Sequence, residues 1–137
     1  MRHSLISIVC LLLAFLSIPL VLSQTHGKWV TLYAVFIFLG WLTGIILGMT
    51  YKTLPFIIWN IKYKDQNGMP KTPLPKDLYN SKILNLQYYT YIASLTVTSA
   101  AVFLQNKWLL LLSACLWICL AICYLYNVLK IVLFKKK

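Results

Sequence analysis

The sequence predicts an all-α, polytopic membrane protein, a four-helix antiparallel transmembrane bundle with both termini in the cytoplasm. Three observations predict it. Of 137 residues, 61% are hydrophobic and 11% charged, against about 25% charged in a soluble domain. The apolar residues collect in four runs, over about residues 5–22, 29–49, 87–103 and 108–129. Each is close to the roughly 20 residues a helix needs to cross a bilayer. Eleven of the thirteen basic residues (Arg2, Lys52, Lys62, Lys64, Lys71, Lys76, Lys82, Lys130, Lys135, Lys136 and Lys137) occupy alternate connections and tails, leaving only Lys28 and Lys107 in the others. Basic residues are retained on the cytoplasmic face during insertion. Both ends and the 60–86 connection are therefore expected inside, and the two short turns outside.

The first run follows Met1-Arg2-His3 and ends at Val21-Leu22-Ser23, a pattern that also fits a cleaved secretory signal. The run exceeds the usual signal core of about 7–15 residues, which favours a retained span. Pro19 near its outer end is compatible with both readings.

The second run carries the sharpest local pattern. Gly40, Gly44 and Gly48 recur every fourth residue and so share a helix face. Missing side chains let a second backbone approach, and close packing drives helix association in lipid. The third run offers a partner stripe at the same interval, Thr90, Ser94 and Thr98, so these two adjacent helices are expected to pack together or to serve an oligomer. A flat cofactor lying on the glycines is the functional alternative.

Apolar character continues past Met49 to Trp59, interrupted by Pro55. Proline removes a backbone donor and restrains its predecessor, so a kink or break is expected near Leu54, with a bent extension to residue 59. Lys52 and Trp59 suit the headgroup depth on one side as interfacial anchors, and Trp29 and Trp108 suit the other.

The 60–86 connection contains Asn67-Gly68, a strong turn signal, and Pro70, Pro73 and Pro75, which favour an extended course. Ser81 is expected to cap the next helix. Asp65 and Asp77 are the only acidic residues in the chain, and their basic neighbours mark them as solvated charges.

Cys115, Cys119 and Cys123 recur every fourth residue on the fourth run, and Cys10 sits in the first. Free cysteines act as small buried hydrophobes, so this stripe is expected to be a packing surface. Weak candidacy as a soft-metal cluster, for copper(I) or zinc, is the alternative. Only His3 and His26 occur, and Glu is absent. One copy therefore lacks a bis-histidine haem pair within the bilayer, and no span holds a carboxylate for proton movement.

The run Leu39-Gly40-Trp41-Leu42-Thr43-Gly44-Ile45-Ile46-Leu47-Gly48-Met49-Thr50-Tyr51-Lys52-Thr53-Leu54-Pro55-Phe56-Ile57-Ile58-Trp59, followed by Pro73-Leu74-Pro75-Lys76-Asp77-Leu78-Tyr79, resembles a segment of bacterial membrane proteins related to haem-copper oxidase subunit I. The resemblance covers residues 39–79 and rests on glycines, aromatics and a proline. Larger members carry histidines just before the Gly-Trp pair, whereas Tyr33-Ala34-Val35-Phe36-Ile37-Phe38 has none. It implies a helix–loop architecture and a respiratory-membrane association, and no catalytic residue.

The expected function is a non-enzymatic subunit or assembly partner of a larger membrane complex, possessing no cofactor and resident in a bacterial inner membrane. A redox protein holding haem, quinone or copper between the glycine and cysteine faces is one rival. A small oligomeric transporter or pore around Thr90, Ser94 and Thr98 is another. Expected partners are the bilayer, its anionic headgroups at about 1 kcal/mol per well-placed lysine or arginine, and other membrane subunits or further copies. The +11 charge borders membrane spans, so nucleic acid is not expected.

Overall fold

The computed structural model describes residues 2–23, 27–63 and 80–133. Among them the chain is helical throughout, apart from tight turns. Helix α1 is Arg2–Ser23. Helix α2, Gly27–Ala34, runs without a break into a π-helical stretch, Val35–Leu42, and then into α3, Thr43–Tyr63. Helix α4 is Ser81–Leu104 and α5 is Lys107–Val132. Three rods, His3–Ser23, Gly27–Ile61 and Lys107–Val132, are long and apolar enough to cross a membrane. Helix α4 is the more polar fourth.

Several expected boundaries move. Pro55 lies within α3, and of the kink or break expected near Leu54 no break occurs: the helix continues to Tyr63. Residues 81–86 form the first turns of α4, the helix expected to lead into the third run. Its cap is Asn80 rather than Ser81: the Asn80 side chain accepts from the Lys82 N–H at 3.0 Å. Asn106 caps α5 in the same way, accepting from the Trp108 N–H at 3.0 Å. The Asn67-Gly68 turn, the three loop prolines, both aspartates and His26 lie outside the described residues.

The π-helical stretch had no counterpart in the sequence reading. There the Thr43 hydroxyl donates to the Phe38 carbonyl, five residues back, at 2.9 Å. Such insertions shift the register of one helix face against its neighbours.

The helices alternate in direction. Cys10 of α1 meets Gly40 and Ser4 meets Gly48, so α1 runs antiparallel to the long rod. Tyr51 near the far end of that rod bonds Gln87 near the start of α4. On α4 and α5, the Trp117 indole N–H donates to the Thr98 hydroxyl at 3.0 Å, and the Asn80 N–H donates to Asn127 at 3.4 Å. Arg2, Asn80 and Val132 therefore lie toward one end of the bundle, beyond which the long rod continues to Tyr63. Ser23, Gly27, Leu104 and Lys107 gather at the other, here termed the turn end.

What the helices bury follows one rule. Helix α1 turns inward His3, Ser7, Cys10, Ala14 and Ser17. Helix α4 turns inward Gln87, Tyr91, Ser94, Thr98 and Ala101, and α5 turns inward Ser113, Leu120, Asn127 and Ile131, with Trp117 and Tyr124 half-buried between them. Spacings alternating between three and four residues give a seam that stays on one face when helices wind gently about each other. Large apolar residues such as Leu16, Leu22, Ile61, Leu111 and Ile122 point outward. Small and polar groups inside with leucine outside is the arrangement lipid selects, because tails solvate leucine but not hydroxyls.

Candidate functional site

A cluster of buried and half-buried polar and aromatic side chains lies around the Tyr51–Gln87 contact, in the half of the bundle that holds Asn80. Helix α1 contributes His3, α3 contributes Thr50 and Tyr51, α4 contributes Gln87, Tyr88 and Tyr91, and α5 contributes Tyr124 and Asn127.

The glycine face brings α1 into this cluster. A β-carbon built on Gly40 would lie 2.6 Å from Cys10 Cβ, and one on Gly44 would lie 2.8 Å from Ser7 Cβ and 2.7 Å from Tyr91 Oη. On Gly48 it would meet Ser4 Oγ at 2.7 Å. The glycines therefore receive α1, together with a tyrosine hydroxyl from α4. They do not face the Thr90, Ser94 and Thr98 stripe, as the sequence reading expected. Tyr91 is fully buried, and its hydroxyl donates to the Gly40 carbonyl and reaches that of Leu39 at 3.3 Å.

The hydroxyl stripe divides. Ser94 and Thr98 lie on the seam toward α5, their hydroxyls donating to the Tyr91 and Ser94 carbonyls. Thr90 sits off the seam and donates to the Leu86 carbonyl. Every fourth residue of a helix drifts by about 40°, so a strict four-residue stripe leaves a seam within two steps. The same drift spreads the cysteines around α5: Cys115 and Cys119 are exposed and Cys123 is half-buried, while Cys10 of α1 is buried against Gly40. In detergent, an apolar maleimide that partitions into the micelle is expected to modify Cys115 and Cys119 ahead of Cys10, which reacts only on unfolding. Early modification of Cys10, read by mass spectrometry, would contradict the docking of α1.

Within the cluster, the Tyr51 hydroxyl donates to Gln87 Oε1 at 2.6 Å. The Thr50 and Tyr124 hydroxyls share a hydrogen at 3.2 Å. The His3 ring sits edge-on to Tyr88 and Tyr91, with centroids 5.3 and 5.9 Å away. The Asn127 amide is close enough to interact with the Tyr51 hydroxyl, although its Nδ2 has no partner at full hydrogen-bonding distance. Both ring nitrogens of His3 and Nε2 of Gln87 are likewise buried without partners. Three of these four atoms belong to groups that present N–H donors, so the cluster suits an acceptor atom such as a water or carbonyl oxygen. Among the described residues, no three His, Cys, Asp or Glu side chains converge to hold a metal.

The expected anchors fall at both ends. Lys52 is exposed and Trp59 half-buried beside Tyr51 and Ile131. At the turn end, Trp29 packs edge-on against Phe103 at 6.3 Å and Trp108 is exposed.

The sequence reading passed over His3, Gln87, Tyr91 and Asn127 as site residues. Their signal was present: each is a polar or aromatic residue set into an apolar run at the seam's spacing. No family model matches the chain, and no curated protein or solved structure does.

Proposed function

We propose that the chain is a four-crossing integral membrane protein acting as a non-enzymatic accessory or assembly subunit of a larger membrane complex. In this reading α4 is the fourth crossing, both ends and the 64–79 segment face the cytoplasm of a bacterial cell, and the complex is respiratory. Lipid headgroups contact the basic border, with Lys52, Trp29, Trp59 and Trp108 as interfacial anchors.

The observation that carries this reading is the uneven use of the helix faces. Polar and small residues are turned inward, where their hydroxyls bond to backbone or to one another. Helix α5 is the least covered of the three apolar rods, with 11% of its apolar window inside the fold against 22% for each of the others. Its outer face presents Leu111, Cys115, Ile118, Cys119, Ile122 and Tyr126, an apolar surface with small residues that suits a neighbouring helix. The rival sites have less support. The glycine face is filled by α1, the cysteines at 115 and 119 point outward, and Ser94 and Thr98 face α5 of the same chain, not an oligomer axis.

Extraction of native membranes into polymer-bounded nanodiscs, followed by mass measurement, tests the proposal. A particle of defined stoichiometry containing this chain and further subunits is expected. Recovery of a lone monomer under those conditions would reject it.

A further inference from the structure

We infer that the polar cluster around Tyr51 and Gln87 is an internal hydration site, in which bound water bridges the side-chain amides of Gln87 and Asn127. The site lies between α3, α4 and α5, in the half of the bundle that holds Asn80.

The hydrogen bonds of the cluster define what it still needs. Gln87 Oε1 accepts from the Tyr51 hydroxyl at 2.6 Å, and the Asn127 amide interacts with that same hydroxyl. Two amides, one from α4 and one from α5, therefore meet at a single phenol oxygen of α3. Asn127 Oδ1 accepts from the Asn80 N–H at 3.4 Å. Each amide oxygen thus has a donor within the protein, and neither amide nitrogen has an acceptor: Gln87 Nε2 and Asn127 Nδ2 are both buried without partners. Both residues are 0% exposed, so neither nitrogen reaches the medium around the bundle. His3 repeats the pattern beside them. Its ring packs edge-on against Tyr88 and Tyr91, on the α4 turn that follows Gln87, and both its nitrogens are buried without partners.

Three requirements identify the ligand as water. It must accept, because an amide nitrogen only donates. It must be small, because Gln87, Tyr91 and Asn127 expose no surface. A lipid or quinone carbonyl would bring a carbon skeleton against these enclosed residues. It must also donate, since the hydroxyls of Tyr51, Thr50 and Tyr124 and the two amide oxygens keep lone pairs beyond the bonds they already make. A water molecule buried among two to four polar partners meets all three conditions. Leaving such donors unpaired away from solvent is costly, and ordered water restores the balance between membrane helices where side chains do not. The inference goes beyond the proposed function and holds whichever complex the chain joins.

The test uses the full chain in perdeuterated maltoside micelles, with the glutamine and asparagine side-chain amides labelled with nitrogen-15. Magnetisation transfer from water to the amide protons is measured in the laboratory and rotating frames. Long-lived bound water gives cross-peaks of opposite sign in the two frames, and these are expected at Gln87 and Asn127. The exposed Gln105 amide serves as control and is expected to show only short-lived contact, with no such laboratory-frame peak. Tyr51→Phe removes the one hydroxyl that could relay water protons to both amides, and the Gln87 and Asn127 peaks are expected to persist in it. Gln87→Leu takes away one side of the bridge and is expected to lose the Asn127 peak. Absence of both peaks from the unaltered chain overturns the inference, as does their disappearance in Tyr51→Phe or an Asn127 peak unchanged in Gln87→Leu. Extraction of the purified chain, followed by mass spectrometry, gives a second reading. A lipophilic carbonyl compound recovered in equal molar amount, and lost from Gln87→Leu, would make that carbonyl the acceptor and overturn the assignment to water.

Discussion

Replacing Gly40 or Gly44 by alanine is expected to loosen α1 from the bundle, at a cost of about 1–3 kcal/mol each, the usual range for overpacking a filled interior. At Gly40 the added carbon would meet Cys10 Cβ at 2.6 Å, and at Gly44 it would meet Ser7 Cβ at 2.8 Å. These are atoms fixed to the α1 backbone, so relief requires the whole helix to retreat. At Gly48 the nearest atom is Ser4 Oγ, at 2.7 Å, and a hydroxyl can rotate away. Gly48→Ala is therefore expected to cost under about 1 kcal/mol. Gly27, with nothing within 4 Å of a built β-carbon, is expected to tolerate alanine. Unfolding in mixed micelles should rank Gly40 and Gly44 as most sensitive, then Gly48, then Gly27. Equal sensitivity at all four would mean that α1 is not seated on this face.

Tyr51→Phe is expected to cost about 1–3 kcal/mol, because it removes the hydroxyl donor to Oε1 of a buried Gln87 whose Nε2 already has no partner. Hydrogen bonds between transmembrane helices average only about 0.6 kcal/mol. The larger figure applies here because Gln87 is fully enclosed by the protein. Gln87→Leu should cost less, since the Tyr51 hydroxyl retains the nearby Asn127 amide. The combined Tyr51→Phe/Gln87→Leu variant should recover part of the loss, leaving an apolar contact in place of an unpaired amide. A double-mutant cycle measures all three. Strictly additive losses would show that the two side chains are not coupled.

Much of the architecture was legible before any coordinates. Four apolar runs became four long rods, and the glycines at 40, 44 and 48 did mark a close approach. The identity of the approaching helix was not legible. An adjacent antiparallel neighbour with a matching hydroxyl stripe was the natural choice, yet the shape of Ser4, Ser7 and Cys10 fits the glycines better. Four-residue repeats also proved a poor guide to burial. Cys115 and Cys119 drifted out of the seam, whereas Gln87, Tyr91, Ser94, Thr98 and Ala101, spaced by four and three, stayed within it. Of the kink or break expected near Leu54, a break is absent: the helix runs on through Pro55 to Tyr63. The polar cluster was hidden for a different reason: His3, Tyr51, Gln87 and Asn127 come from four separate helices, and only the fold brings them together.

In the proposed function α4 crosses the membrane with the other three rods. Reporter tags on both ends of the chain, read for compartment in intact cells, test it most directly. Four crossings place the two tags on one side, in the cytoplasm, with a third reporter in the 64–79 segment beside them. Tags reporting from opposite compartments would mean three crossings, with α4 lying outside the bilayer, and would contradict the account.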